Sequence, residues 1–133
     1  MIGSGYVGLV SGACFADLGN FVWCVDKKKE KIDLLNSNQI PFFEPGLKEL
    51  VSKNFSSGRL KFTTNLKLAV RNSDIIFICV GTPTSKKNRS ADLRHVFKVA
   101  TEIAKYINGF KIIITKSTVP VATGDKIEKI KDL

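Results

Sequence analysis

The chain has 133 residues, enough for one domain, and its 44% hydrophobic content argues against a disordered polypeptide. Twenty-one basic against 12 acidic residues leave a net charge of +9, which suits an anionic ligand; the lysines are dispersed and form no nucleic-acid motif, so no nucleic-acid partner is expected. No apolar run approaches the roughly 18 residues that span a bilayer, and the first residues carry no secretory pattern, so the expectation is no membrane association and a cytoplasmic location.

The chain opens on Gly3-Ser4-Gly5-Tyr6-Val7-Gly8, a G-x-G-x-x-G. Alone this motif is weak evidence, because glycine-rich hexamers also make plain loops. Its context decides. Val7 to Leu18 reads as an apolar, small-residue helix stopped by Gly19-Asn20. Phe21 to Val25 is a short apolar strand, and Asp26 ends it about 20 residues past the motif, where an acid binds the adenine ribose of a dinucleotide. Gly3, Gly5 and Gly8 then serve the tight turn, the approach of the pyrophosphate and helix packing. Asp26 accepts hydrogen bonds from ribose hydroxyls and repels a 2′-phosphate, which favours NAD over NADP. Lys27-Lys28-Lys29 pulls the other way, or is the solvated start of a helix.

That helix is expected from about Lys27 to Asn36, followed by a loop from Gln39 to Gly46 and a short amphipathic helix from Leu47 to Asn54. Arg59 to Phe62 reads as a strand and Leu66 to Arg71 as a helix. Ile75 to Val80 is a continuous apolar run, as in a strand buried on both faces. Gly81-Thr82-Pro83-Thr84 ends it, and a polar, basic loop spans Ser85 to Ser90. Asp92 caps a long helix whose stripe is Val96, Val99, Ala100, Ile103, Ala104 and Ile107. Lys111 to Thr115 is a second buried strand, ended by Lys116-Ser117-Thr118-Val119-Pro120, and a last helix runs from about Thr123 to the C-terminus. Strands alternating with helices predict an α/β fold, a Rossmann-like doubly wound parallel sheet with ligands at the carboxyl ends of its strands. There Thr82 and Thr118 stand beside the cofactor crevice; hydroxyls in tight βα turns are equally a structural habit.

Cys14, Cys24 and Cys79 lie in apolar runs without a C-x-x-C, and His95 stands alone among polar neighbours. Reduced core thiols, a surface histidine and no metal site are expected.

Four separated motifs together carry a family resemblance: Gly3-x-Gly5-Tyr6-Val7-Gly8-Leu9, Phe43-Glu44-Pro45-Gly46-Leu47, Val80-Gly81-Thr82-Pro83 and Lys116-Ser117-Thr118-Val119-Pro120-Val121. The whole chain, residues 1–133, resembles the N-terminal NAD-binding domain of the UDP-glucose 6-dehydrogenase family, with dehydrogenases of GDP-mannose and UDP-N-acetylmannosamine as sisters. The resemblance implies oxidation of a UDP-sugar at C6 with two NAD, through a cysteine-bound intermediate. It implies that Gly3, Gly5, Tyr6, Val7 and Gly8 cradle the pyrophosphate, Asp26 binds ribose, Lys31 reaches the adenosine end, and Thr82 and Thr118 border the nicotinamide. Thr118 also acquires an auxiliary catalytic role, and Glu44-Pro45-Gly46 shapes a loop near the cofactor.

The departures from the family pattern are specific. The nucleophile's Gly-x-Cys-Phe-Pro-Lys-Asp segment is not among these residues, and Gly12-Ala13-Cys14-Phe15 is a decoy on the first helix. The dimerisation region and UDP-sugar domain are also not among them, so a homodimer or a complementing chain is expected only of a fuller form. Ala122 stands where the family has glycine. Only Met1 and Ile2 precede the glycine motif, so the first strand is expected to be mostly missing and the 133 residues alone to be unstable and inactive. The expectation is a start further upstream or a decayed, non-catalytic remnant.

Overall fold

The computed structural model describes residues 1–84 and 91–130; the basic loop from Ser85 to Ser90 lies outside them. Ten elements follow in chain order. They are α1 Tyr6–Asp17, β1 Val22–Val25, α2 Lys29–Asn36, α3 Leu47–Ser56, β2 Leu60–Thr63, α4 Leu66–Arg71, β3 Ile75–Ile78, α5 Arg94–Ala104, β4 Ile112–Thr115 and α6 Thr123–Glu128.

All strand pairings between these elements are parallel. β1 pairs with β2, and β3 with β4. The two pairs are joined by the segment before the glycine turn, where Ile2 bridges both Val25 and Ile78. Four backbone hydrogen bonds hold it: Ile2 N to Phe77 O, Cys79 N to Ile2 O, Gly3 N to Val25 O and Val25 N to Met1 O, all 2.8–2.9 Å. The order is therefore β2, β1, Met1–Gly3, β3, β4, the doubly wound arrangement with its reversal at the leading segment. The residues before the glycine turn, expected to be too few to form the strand, pair on both sides.

Side chains alternate across the sheet with period two. Met1, Cys24, Leu60, Phe62 and Cys79 face a core shared with Leu9, Ala13 and Ala16 of α1, Ile32 and Leu35 of α2, and Leu47 and Val51 of α3. Ile2, Val25, Ile76 and Ile78 face the other core, with Ala69 and Val70 of α4, Val96, Ala100 and Ile103 of α5, and Ile127 of α6. Helices on both faces make a three-layer α/β/α sandwich.

Helix α1 packs closely because its inward positions are small. A Cβ at Gly12 would lie 2.6 Å from Cys24 Sγ, so that glycine lets the helix settle on β1. Gly19 ends α1 in the left-handed conformation (φ +98°), the stop expected of it. The amphipathic stripe on α5 buries Val96, Ala100, Ile103 and Ala104. The helix ends there, short of Ile107, which still packs against the second core. β4 departs from expectation. Ile112 is 48% exposed and the other three residues are half-buried, because β4 is the outer strand of the described sheet and not a strand covered on both sides. Phe21, expected in β1, precedes it and is 83% exposed.

Candidate functional site

The carboxyl ends of β1 and β3 open onto a crevice of ≈ 560 Å³, within the size range of ligand sites. Its floor is Ile2, Gly3 and Gly5, one wall Val25 to Lys28 with Lys31, and the other Cys79 to Gly81 with Pro83. The reversal of strand order leaves this space, since the connections from β1 and from β3 run to opposite faces of the sheet.

The glycines of the turn differ in what they avoid. Gly3 has φ +101°, and a Cβ there would lie 2.7 Å from the backbone oxygen of Cys79. A Cβ on Gly8 would fall 1.8 Å from the oxygen of Gly3, so only a glycine lets α1 cross the turn. Gly5 is unlike both. Its φ is −73°, and a Cβ would meet no protein atom within 4 Å. The room beside Gly5 is left for something other than the protein. Gly5 is also the N-cap of α1, with no side-chain cap and no acid in the first turn. The amides of Tyr6, Val7 and Gly8 have no partner within the helix and form an anion-binding end.

Asp26 is the most densely bonded side chain in the crevice. Its Oδ2 accepts from Lys31 Nζ at 2.8 Å, from the Ser4 hydroxyl at 3.0 Å and from the Ser4 amide at 3.2 Å. Its Oδ1 accepts from the Lys28 amide at 3.1 Å. Burial pushes this carboxyl up, but the bonds from Lys31, Lys28 and Ser4, with the charge on Lys31, outweigh it. The net effect holds Asp26 below the usual carboxylate range. Lys31 forms an ion pair with Asp26 whose two side chains are 25% and 11% exposed.

Tyr6 and Val7 do not line the crevice; both side chains are exposed. The Tyr6 hydroxyl turns away and donates to Glu44 Oε2 at 2.5 Å, and its ring packs against Phe42 with centroids 5.3 Å apart. The bond to Glu44, with lesser burial and charge effects, raises the Tyr6 phenol above its ordinary value. The Phe42-to-Gly46 loop is thereby tied to the glycine turn.

Thr82 and Thr118 are brought together at the far end. Thr82 Oγ1 donates to the backbone oxygen of Thr118 at 2.9 Å, and Ser117 Oγ donates to Val80 O at 2.7 Å. These bonds join the loops after β3 and β4. The flanking Gly81 and Pro83 line the crevice; Thr82 and Thr118 themselves do not, and Thr118 is exposed.

Three contributors were missed in the sequence. Ser4 is fully buried and bonded to Asp26, a contact between residues 22 apart that no local pattern signals. Thr64 and Leu66, after β2, also line the crevice. The far wall is one face of α5: His95, Lys98, Val99 and Glu102, spaced i, i+3, i+4, i+7. His95 is exposed as expected, yet stands on the crevice rim. Val99, read in the sequence as part of the core stripe, also faces this crevice.

Cysteine chemistry does not enter. Cys14, expected in the core, is exposed on the outer side of α1. Burial pushes the Cys24 thiol up to about 11 and raises that of Cys79. Among the described residues no cluster of His, Cys, Asp or Glu could hold a metal, and no helix is long and apolar enough to cross a membrane.

Comparison with known proteins gives a consistent result. A family model described as "UDP-glucose/GDP-mannose dehydrogenase family, NAD binding domain" matches residues 1–132. A UDP-glucose 6-dehydrogenase of Rhizobium meliloti is 58% identical over 98% of this chain, and TuaD of Bacillus subtilis, also a UDP-glucose 6-dehydrogenase, is 52% identical. Among solved structures, a ternary complex of GDP-mannose dehydrogenase from Pseudomonas aeruginosa superposes with a TM-score of 0.89 at 41% identity, over 95% of this chain and 29% of that one. A UDP-glucose dehydrogenase from Pyrobaculum islandicum gives 0.90 at 33%, over 98% and 32%. The chain spans about 30% of the length of the relatives it matches. The open space at Gly5, the uncapped α1 and the acid at the end of β1 fit the NAD that this family model names.

Proposed function

This chain belongs to the UDP-glucose/GDP-mannose dehydrogenase family, as its NAD-binding domain, and from that premise we propose that it is the cofactor-binding part of a UDP-glucose 6-dehydrogenase. Residues 1–133 then form one domain, and the UDP-sugar domain and dimerisation region belong to a further part of the enzyme. The observation that carries the reading is the open space at Gly5 beside the uncapped helix α1, with Asp26 at the end of β1.

In this reading the amides of Tyr6 and Val7 bind the pyrophosphate, with Gly3, Gly5 and Gly8 admitting it. Asp26 takes the adenine ribose, and Lys31 neutralises and orients that carboxylate. Thr82 and Thr118 border the nicotinamide, and Thr118 assists catalysis from the end of β4. When bound, NAD supplies a hydride acceptor at that end of the crevice. The substrate is UDP-glucose, oxidised at C6 to UDP-glucuronate, and two NAD are used. The 133 residues alone do not turn over, because the reaction needs the cysteine nucleophile and the sugar site of the fuller enzyme. A homodimer or a complementing chain completes it, in the cytoplasm, where thiols stay reduced.

The identity of 58% and 52% to UDP-glucose enzymes supports UDP-glucose as substrate. A GDP-mannose enzyme with a TM-score of 0.89 keeps a sister sugar nucleotide as the second reading.

The test is titration calorimetry of the purified chain with NAD, with Asp26→Ala as control, followed by an NADH assay with UDP-glucose. Expected are NAD binding lost in Asp26→Ala and no NADH from the chain alone. NAD binding unaffected by Asp26→Ala overturns the site; NADH formation by the chain alone overturns its dependence on a second region.

A further inference from the structure

We propose that Ser4 is a positioning residue that sets cofactor selectivity, by holding one oxygen of Asp26 inward so that only the other can meet the ribose. The inference rests on the NAD reading above and extends it to a residue without an assigned role. Ser4 occupies the variable position between the first two glycines of the turn, yet its side chain is fully buried. A buried hydroxyl needs a partner, and here it is Asp26 Oδ2 at 3.0 Å. The Ser4 amide donates to the same oxygen at 3.2 Å, and Lys31 Nζ at 2.8 Å.

Three donors on one carboxylate oxygen leave it no acceptor position for a ligand. Oδ1 has one donor, the Lys28 amide at 3.1 Å, and keeps room for more. The ribose hydroxyls of NAD therefore meet Oδ1. A 2′-phosphate would bring negative charge and no donor to that same oxygen. The discrimination lasts only while the carboxylate cannot turn. Lys27, Lys28 and Lys31 all line this wall, so a carboxylate free to swing aside would leave cations to receive the phosphate. Two of the four bonds that hold the carboxylate come from Ser4.

This role separates from mere support of the turn. NAD and NADP share the pyrophosphate, so damage to the turn weakens both alike. Loss of orientation at Asp26 weakens NAD and spares or helps NADP.

The test is calorimetry with NAD and NADP on the parent chain, Ser4→Ala, Asp26→Asn and the double variant. Ser4→Ala is expected to weaken NAD about three- to tenfold, the scale of one ordinary net hydrogen bond, since only one of the four bonds orienting Asp26 is lost, while NADP binding is unchanged or tighter. In the Asp26→Asn background the same substitution should change NAD affinity by less than about twofold, since the charged oxygen it serves is gone. An equal loss for both cofactors, or the same loss in both backgrounds, overturns the proposal. If Ser4→Ala lowers the melting temperature sharply, Ser4→Cys, of similar shape but a weak donor, is judged by the same two criteria. A parent chain that binds no NAD is seen before any substitution; it defeats the functional reading and this inference with it.

Discussion

Two glycines three residues apart in the same turn should respond in opposite ways to the same methyl group. At Gly5 the backbone is extended and within reach of any residue, and the added Cβ meets no protein atom within 4 Å. Alanine narrows the unfolded ensemble, a gain of about 0.4–1 kcal/mol, and is a poorer N-cap than glycine by a similar amount. The two nearly cancel. Unfolding entropy of about 2.1 cal/mol/K per residue over 133 residues is about 0.28 kcal/mol/K. The melting temperature of Gly5→Ala should therefore stay within about 3 °C of the parent. Its NAD affinity should fall at least about tenfold, because the methyl stands where the pyrophosphate must approach the helix amides. At Gly8 the Cβ falls 1.8 Å from Gly3 O, a backbone atom held by the pairing of the leading segment. Gly8→Ala must displace α1 from the sheet and should cost at least about 3 kcal/mol, lowering the melt by roughly ten degrees or more. Differential scanning calorimetry and NAD titration on the two variants check this. A Gly5→Ala chain that melts like the parent and still binds NAD normally would refute the placement of the pyrophosphate; a Gly8→Ala chain that melts like the parent would refute the close crossing.

Ala122 has φ 65° and ψ 11° at the start of α6, where a side chain costs about 1–2 kcal/mol; Ala122→Gly should raise the melting temperature by about 1–4 °C in a thermal scan, and a fall would show that the turn is not left-handed. Asp26 has its folded pKa depressed, so its contribution to stability is fully present above the ordinary carboxylate value of about 3.9 and is lost as pH falls through the lower folded value. Asp26→Asn should flatten that part of the acid limb in urea melts run from pH 5 downward, and an unchanged limb would contradict the bonding seen at Oδ2. Thiol titration should find Cys14 reacting at once, Cys79 slowly and more slowly still with NAD bound, and Cys24 only on unfolding. Equal rates for all three would contradict the burial pattern.

Much of the α/β reading was legible before any coordinates, because short-range chemistry writes it. Helix α4 falls where the residues placed it, Leu66–Arg71, between the Asn65 cap and the apolar run that follows. Most other boundaries differ by one or two residues, as fraying ends do; α5 ends three residues short of Ile107, and α6 ends at Glu128. The glycine turn and the position of Asp26 at the end of β1 were legible because a tight turn and a strand end demand particular residue types at particular spacings. Burial was less legible. Ile112 to Thr115 has the composition of a strand covered on both faces, and its partial exposure reflects its place at the sheet edge, which no local pattern encodes.

The same division runs through the site. Local pattern was sufficient for the dinucleotide turn, the acid at the end of β1 and the alternation of strands and helices, since each depends on backbone geometry within a few residues. Contacts between distant residues required the fold: Ser4 on Asp26, Gly8 against Gly3 over the turn, Tyr6 on Glu44, and the face of α5 that closes the crevice. These arise where β1 and β3 are drawn to either side of Met1–Gly3, and a residue's partner across that junction is set by the packing of layers rather than by its neighbours in the chain.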